Sequence, residues 1–308
     1  MPQPFASIDL GTNTARLLIG RIEGGTVAPI HVTRCITRLG GGFTRERGIA
    51  RDAWQRSLDA LAGFSDEMAR AGVAGVRAVA TSAVRDAVNG QEFCADVLAR
   101  TGIRLEVIDG EEEGLLTLRG VLSGLSRTHG DFFVFDVGGG STEYTLAQAA
   151  SPLYTESLPL GVVRLTEGKP DVPAMEEKIV RELEGLKARI TAQGIAAHLP
   201  GATLVGTAGT ATTLAAMSLK MTDYDYRRVN NHILCRDEIR AIFDLLLPLP
   251  PSRRLMVPGL ERGREDLIIA GTLITLKTLE IFGFDRMTVS DSGLLEGVLL
   301  SFAPGSGV

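Results

Sequence analysis

The chain has 308 residues, which at roughly 150 residues per domain is enough for two domains that each bury a core of their own. Hydrophobic residues make up 44% of the chain and charged residues 22%, a composition that argues against disordered, collagen-like and coiled-coil chains. Acidic residues outnumber basic ones by 37 to 32, giving a formal net charge of -5. This charge attracts neither DNA nor anionic lipid, so a polyanion needs a local site that overcomes it.

The cysteines and the apolar stretches favour a cytoplasmic protein. Cys35, Cys94 and Cys235 lie far apart and form no CxxC pair, as expected in a reducing compartment. No apolar stretch approaches the roughly 20 residues that cross a bilayer. The chain runs straight into a predicted strand without a basic and apolar leader. No membrane partner is therefore expected.

Predicted strands and helices alternate along the chain, a pattern typical of α/β proteins. Apolar runs that end in turn residues predict strands at 5–8, 15–22, 77–80, 103–108, 132–135, 142–147, 203–206 and 287–289. Helical periodicity predicts helices at 52–71, 90–101, 111–124, 173–193, 210–219, 236–246 and 265–282. The polar and glycine-containing segment 123–130 predicts a domain boundary, and the proline-rich segment 248–254 a loop.

One local pattern occurs twice, in the same register. An apolar strand leads into Asp9, a turn of small residues and a second apolar strand, and the same order recurs at Asp136. At the position where the first copy carries Arg16, the second carries Glu143. Two matching units, one in each half, predict two related domains that face each other across a cleft.

The turns of both copies are suited to phosphate. Glycines let backbone N–H groups approach an anion closely, and hydroxyl groups add further donors. The residues concerned are Gly11, Thr12, Asn13 and Thr14 in the first turn, and Gly138, Gly139, Gly140 and Ser141 in the second. The alternative is that these residues only make tight hairpins.

Carboxylates at the strand ends are candidate ligands for a divalent cation. Asp9 and Asp136 each follow an apolar strand beside one of these turns, and Glu143 follows the second turn. Mg²⁺ favours one or two carboxylates together with substrate oxygens. Alternatively, either aspartate closes its hairpin through an Asx-turn. At the matched positions, Arg16 is suited to phosphate and Glu143 to metal.

A third glycine-rich element connects a predicted strand to a predicted helix. It contains Gly206, Thr207 and Gly209, and a helix N-terminus at this point would attract an anion. The element matches neither a Walker loop nor a GxGxxG fingerprint. Its specificity as a phosphate-binding signal is therefore weak.

Three consecutive acids begin the next candidate feature. Asp109 is a good N-cap for the helix that follows, and the acids favour the positive end of its dipole. One of Glu111, Glu112 and Glu113 could instead act as a general base for water. The spacing alone does not choose among the three.

Arg85 lies at a predicted helix start, after a predicted strand. Its guanidinium could clamp a terminal phosphate, or form a surface pair with Asp86 or Glu92.

Taken together and in order, these motifs resemble the Ppx/GppA family, which comprises exopolyphosphatases and guanosine pentaphosphate phosphohydrolases of the actin-like ATPase superfamily. The motifs are residues 9–16, 81–85, 111–113, 136–143, 158–165, 206–210 and 290–297. The resemblance implies an α/β fold of two ribonuclease-H-like domains in a short two-domain form. We place the first domain at 1–126, with a C-terminal helix at about 293–308 packing back on it, and the second at 127–292.

The resemblance also implies roles for individual residues. Glu113 corresponds to the base that activates water, and Asp136 and Glu143, assisted by Asp9, to metal ligands. Arg16, Arg85 and the second turn correspond to phosphate-binding positions. Expected with them are Mg²⁺ or Mn²⁺ as cofactor, inorganic polyphosphate or a guanosine polyphosphate as substrate, and a homodimer.

The sequence predicts an exopolyphosphatase that releases orthophosphate, with pppGpp as a second substrate to test. One rival is a phosphotransferase of the same fold, which shares the Asp-Gly hairpins but passes phosphate to an acceptor. The other is a non-catalytic protein that senses ppGpp or another nucleotide. The three acids before the helix favour water as the acceptor.

Overall fold

The structure is a computed structural model that describes residues 3–43, 46–127 and 129–303. The described chain forms two compact units. The first unit comprises the residues up to Ser123 and those from Gly293 onward, and the second comprises Gly124–Ser292. Of the predicted C-terminal segment, residues 304–308 lie outside the described part. Within the residues described, every helix is too short or too polar to span a membrane.

Strands and helices are numbered in chain order through both units. The strands are β1 (Phe5–Leu10), β2 (Thr14–Glu23), β3 (Thr26–Ile36), β4 (Val76–Ala80), β5 (Leu105–Val107), β6 (Asp131–Val137), β7 (Thr142–Gln148), β8 (Ser151–Leu158), β9 (Thr203–Thr207), β10 (Ile233–Cys235) and β11 (Arg286–Val289). The helices are α1 (Arg51–Ala71), α2 (Ser82–Arg85), α3 (Gly90–Thr101), α4 (Gly110–Gly124), α5 (Val162–Gly168), α6 (Val172–Ala192), α7 (Ala208–Ser218), α8 (Tyr226–Val229), α9 (Arg236–Leu246), α10 (Pro251–Arg254), α11 (Ile268–Phe282) and α12 (Leu294–Leu300), with a short 3-10 turn at Ala196–His198.

The first unit is built on a five-stranded sheet in the order β3-β2-β1-β4-β5. β1, β2 and β3 pair antiparallel, whereas β4 and β5 continue the sheet parallel to β1. Apolar residues of α1 recur at helical spacing, and the buried Phe64 and Phe93 pack with Ile8 of the sheet. A second cluster joins Val79 of β4 to Leu116 of α4 and to α12.

The second unit repeats this arrangement with one added strand. Its sheet has the order β10-β11-β9-β6-β7-β8, in which β6, β7 and β8 are antiparallel and β9 and β11 run parallel to β6. The core contains Phe133, Phe135 and Tyr144, and helix α11 packs against α6 and α9. Burial raises the pKa of the Tyr144 hydroxyl, which shares a 2.7 Å hydrogen bond with Thr278.

Every strand and helix predicted from the sequence patterns is present, with ends that differ by a few residues. The C-terminal helix expected at about 293–308 is shorter than predicted, because α12 ends at Leu300 and residues 301–303 form a turn. The sequence patterns missed β3, β8, β10 and several short helices, of which α10 lies in the segment predicted as a loop. β3 and β8 are the outer strands of their antiparallel ribbons, and their side chains are mostly exposed or half-buried. Without a fully buried face, the alternation that predicts a strand is weak.

Candidate active site

The two copies of the sequence pattern fold into hairpins that close in the same way. The Gly11 amide donates to the Thr14 carbonyl at 3.0 Å, and the Gly138 amide donates to the Ser141 carbonyl at 3.0 Å. Asp9 stands directly opposite Arg16 across β1 and β2, and Asp136 opposite Glu143 across β6 and β7. The match in the sequence therefore corresponds to the same local geometry in both units.

In the first hairpin, opposite charges face each other. The Arg16 guanidinium donates from Nε and Nη2 to Oδ2 of Asp9, at 3.0 and 2.7 Å. Asp9 is buried and the Arg16 side chain is 26% exposed. The buried carboxylate thus holds the partly exposed guanidinium in a fixed orientation at the end of the sheet.

In the second hairpin, the same positions carry two carboxylates. Asp136 and Glu143 are both buried, and Glu143 Oε1 accepts hydrogen bonds from the Ser141 hydroxyl at 2.7 Å and the Ser157 hydroxyl at 2.6 Å. Like charges directly opposite one another on neighbouring strands repel, and a shared cation relieves that repulsion. Because Mg²⁺ is bound by one or two carboxylates plus water and substrate oxygens, the pair fits Mg²⁺.

The described residues do not build a complete metal site by themselves. Across residues 3–43, 46–127 and 129–303, no group of three or more His, Cys, Asp or Glu side chains is arranged to hold an ion. A divalent cation at Asp136 and Glu143 would therefore take its other ligands from water and phosphate. Asp9, the third predicted ligand, has its Oδ2 engaged by Arg16.

The carbonyl groups of the first turn accept hydrogen bonds from the segment that follows β3. The Gly40 amide donates to the Thr12 carbonyl at 2.8 Å, and the Arg38 amide donates to the Asn13 carbonyl at 2.9 Å. The Thr12 hydroxyl bonds the Ser82 hydroxyl at 2.9 Å, and Asn13 Nδ2 lies 3.5 Å from the Thr14 hydroxyl. Since C=O and N–H point in opposite directions in a trans peptide, the backbone N–H of Asn13 is directed away from Gly40, which binds the Thr12 carbonyl of the same peptide.

The second turn is fastened in the same manner by the start of α5. The Val162 amide donates to the Gly138 carbonyl at 3.0 Å, and the Val163 amide donates to the Gly139 carbonyl at 2.9 Å. A side chain at Gly161 would overlap the backbone of Gly139 and Gly140, so this close approach requires glycine. The amides of Gly139 and Gly140 are directed to the opposite side, as an anion-binding turn requires.

The three consecutive glutamates lie in three different environments. Glu111 is exposed, and the half-buried Glu112 bonds Arg77 at 2.8 Å. Glu113 is buried, and its Oε2 lies 3.3 Å from Nη1 of Arg85. Asp109 caps the helix, because its Oδ1 accepts from the Glu112 amide at 2.8 Å.

The Arg85 guanidinium lies closer to Glu113 than to Asp86, the next residue in the sequence. Its Nη1 donates to the Ile108 carbonyl at 2.9 Å as well as to Glu113, whereas its Nε is 3.8 Å from Asp86. Arg85 is the last residue of the short helix α2, so the prediction that it begins a helix is wrong. Its side chain is 24% exposed. The structure thus brings together one candidate base and one candidate phosphate ligand within the first unit.

The third glycine-rich element makes mostly internal contacts. Gly206 packs against Met287 and Phe135, and the buried Thr207 hydroxyl donates to the Ser292 carbonyl at 3.0 Å. A side chain at Gly209 would overlap the guanidinium of Arg264. Between Thr207 and Gly209, Ala208 has a φ of 60°, a conformation rare for residues other than glycine.

Three residues at these sites were not identified from the sequence. Ser157 bonds Glu143, Ser82 bonds Thr12, and Arg264 lies against Gly209. Ser82 lies inside a motif that carries the family resemblance, and Ser157 immediately precedes one. The motifs could therefore have drawn attention to both residues. Arg264 lies in no motif, and nothing in the sequence indicated it.

Comparisons with known proteins agree on one family. A model of the Ppx/GppA phosphatase family matches residues 18–305. Exopolyphosphatase 2 of Mycobacterium tuberculosis is 34% identical over 318 aligned positions, which cover 97% of this chain and 98% of that protein.

Solved structures agree in fold. The PPX-GPPA enzyme of Aquifex aeolicus aligns with a TM-score of 0.80 at 36% identity and covers 97% of this chain and 99% of its own. An exopolyphosphatase from Cytophaga hutchinsonii aligns with a TM-score of 0.88 at 26% identity, covering 97% of each chain. The predicted α/β fold is confirmed: the chain has two mixed α/β sheets, one in each unit, and shares its fold with the PPX-GPPA enzyme of Aquifex aeolicus.

Proposed function

Because this chain belongs to the Ppx/GppA phosphatase family, we propose that it is a Mg²⁺-dependent exopolyphosphatase that hydrolyses the terminal phosphoanhydride of inorganic polyphosphate and releases orthophosphate. Membership makes the chain an enzyme of a phosphatase family. The finer assignment is supported by similar proteins from two organisms that are described as exopolyphosphatases. The same chemistry would act on the terminal phosphoanhydride of pppGpp.

The placement of Glu113 carries the proposal. Hydrolysis needs a base that takes a proton from the attacking water, and Glu113 is the one of the three consecutive acids that is buried and held by Arg85. In this role the Glu113 carboxylate orients the water and accepts its proton as the phosphoanhydride breaks. Arg85 fixes the orientation of that carboxylate through its shared bonds to Glu113 and the Ile108 carbonyl.

The remaining site residues bind phosphate or metal. Arg16 and Arg85 hold the terminal phosphates, together with the amides of the two hairpin turns. Asp136 and Glu143 are the carboxylates that would hold Mg²⁺. When bound, Mg²⁺ neutralises negative charge on the phosphate oxygens as the bond breaks.

A phosphate-release assay without an acceptor tests the proposal. The purified full chain is incubated with MgCl₂ and polyphosphates of several defined lengths, with pppGpp and ATP in parallel. We expect orthophosphate to accumulate from polyphosphate, to stop on addition of excess EDTA and to resume with Mg²⁺. Formation of a phosphorylated sugar or acetyl phosphate when that acceptor is added, without release of orthophosphate, would indicate a phosphotransferase. Binding of ppGpp without release from any substrate would indicate a sensor.

A further inference from the structure

An ion triad joins the start of α4 to the sheet of the first unit. Arg77 of β4 donates from Nε to Glu106 of β5 at 2.9 Å, and from Nη2 to Glu112 of α4 at 2.8 Å. The Arg77 side chain is only 18% exposed. Burial by itself lowers the pKa of Arg77, but the two carboxylates more than offset it and hold this pKa above its ordinary value. Removal of one partner would leave a largely buried charge poorly compensated.

The contact with Glu112 fixes the rotation of α4 about its axis. Glu112 and Leu116 are four residues apart and so lie on the same face of the helix. Leu116 packs in the apolar cluster that contains Val79, two residues after Arg77 in β4. One ionic and one apolar contact therefore hold this face of α4 against β4.

Glu113 follows Glu112 and is turned from it by about 100° around the helix. Its direction is therefore set by the face that Glu112 and Leu116 hold on the sheet. With that face fixed, Glu113 Oε2 meets Arg85 at 3.3 Å. A small rotation of α4 would move the Glu113 carboxylate, because it lies at the end of a long side chain.

We infer that Arg77 and Glu112 are positioning residues for Glu113, and that their ion pair holds the first turn of α4 in the rotation that directs the Glu113 carboxylate to Arg85. The inference rests on the proposed function, in which Glu113 is the base. In this inference Glu112 positions the helix, whereas Glu113 acts as the base. Neither Arg77 nor Glu112 needs to touch substrate.

The triad supplies its own control. Glu106 and Glu112 are both partners of Arg77, but only Glu112 lies on the helix that carries Glu113. We expect Arg77→Gln and Glu112→Gln each to lower kcat for polyphosphate about 10-fold to 100-fold, as misplacement of a reacting group does, with KM changed less than about twofold. Glu106→Gln should keep kcat within about twofold. The double variant R77Q/E112Q should be no slower than R77Q, because both changes break the same pair.

Two further measurements separate positioning from a loss of folded protein. Circular dichroism and thermal melting of each variant establish that it is folded at the assay temperature. Arg77→Lys retains the charge and should recover part of the kcat that Arg77→Gln loses. If Arg77→Gln does not yield folded protein, Glu112→Gln and Arg77→Lys, compared with Glu106→Gln, carry the test.

Equal losses of kcat in Glu106→Gln and Glu112→Gln would overturn the inference, because the loss would then not depend on a partner of Arg77 that lies on α4. It would also be overturned if Glu112→Gln abolished turnover while Arg77→Gln kept it, since Glu112 would then be the base itself. Failure of the proposed function gives a different result, namely no phosphate release by the unmodified chain.

Discussion

The two hairpins carry side chains of opposite charge at one matching position of their second strands. Arg16 stands opposite Asp9 in the first hairpin, and Glu143 stands opposite Asp136 in the second. The first pair is a salt bridge that presents a guanidinium, whereas the second concentrates two carboxylates. One residue difference on a shared backbone therefore gives one hairpin a guanidinium, a group that pairs well with phosphate, and the other a second carboxylate, a group that Mg²⁺ favours.

Ser157 should influence the affinity for Mg²⁺ without touching the ion. Its hydroxyl donates to Glu143 Oε1 at 2.6 Å and so fixes the orientation of that carboxylate. We expect Ser157→Ala to raise the Mg²⁺ concentration for half-maximal phosphate release about 10-fold, as loss of a partner to a metal ligand commonly does. A Mg²⁺ titration at saturating polyphosphate measures this concentration.

Thr155, on the same strand, offers a matched control. Its buried hydroxyl has no hydrogen-bond partner in the part of the chain that the structure describes, so Thr155→Val removes a hydroxyl at nearly constant volume. The Mg²⁺ requirement of Thr155→Val should match that of the unmodified chain. An unchanged requirement in Ser157→Ala would contradict the assignment of Glu143 to the metal.

The sequence indicated most of the residues in these hairpins, but not the residues from other segments that hydrogen-bond to them. Asp9, Asp136 and the two turns could be identified because the repeat places them in one register. Ser157 could not, because it lies in β8, an outer strand whose mostly half-buried side chains give no clear alternation. Hydrogen bonds between distant segments leave no periodic signal in a sequence.

At the scale of elements, α4 and α12 approach each other through glycine. A side chain at Gly120 would overlap the Gly293 carbonyl, and one at Gly297 would overlap the Leu116 carbonyl. Because Leu116 also helps to fix α4 against β4, this close approach contributes to the placement of the helix that carries Glu113. The backbones of the two helices can come this close only without side chains between them.

Alanine at Gly297 should destabilise the protein, although alanine favours helices. We expect Gly297→Ala to lower the free energy of unfolding by about 1–3 kcal/mol, the usual effect of overpacking. Gly63 of α1 has open space around it, so Gly63→Ala should raise stability by about 0.5–1 kcal/mol. Urea denaturation of the two variants gives both values. Stabilisation by Gly297→Ala would contradict the close approach.

For the whole molecule, the repeat in the sequence predicted the architecture better than composition did. The strand order β3-β2-β1-β4-β5 of the first unit recurs as β8-β7-β6-β9-β11 in the second, although the sequence patterns had missed both outer strands. The role of α12 could not be read from local patterns, because its contacts with β1 and β2 of the same unit join residues nearly 300 positions apart. Ser7, for example, donates to the Leu295 carbonyl at 2.7 Å.

With a net charge of -5, the chain as a whole does not attract a polyanion, which therefore needs a local site. In the proposed function, Arg16 and Arg85 hold the polyanion, whereas Glu113 acts as the base for hydrolysis. Substitution of the base should therefore leave binding intact.

The most direct measurement compares Glu113→Gln with the unmodified chain for both properties. Polyphosphate binding is followed by calorimetry with MgCl₂ present, and phosphate release is followed under the same conditions. We predict that the variant binds polyphosphate with an affinity within about threefold of the unmodified chain and releases phosphate about 100-fold to 10,000-fold more slowly, the usual contribution of a general base. Near-normal phosphate release by Glu113→Gln would contradict the account.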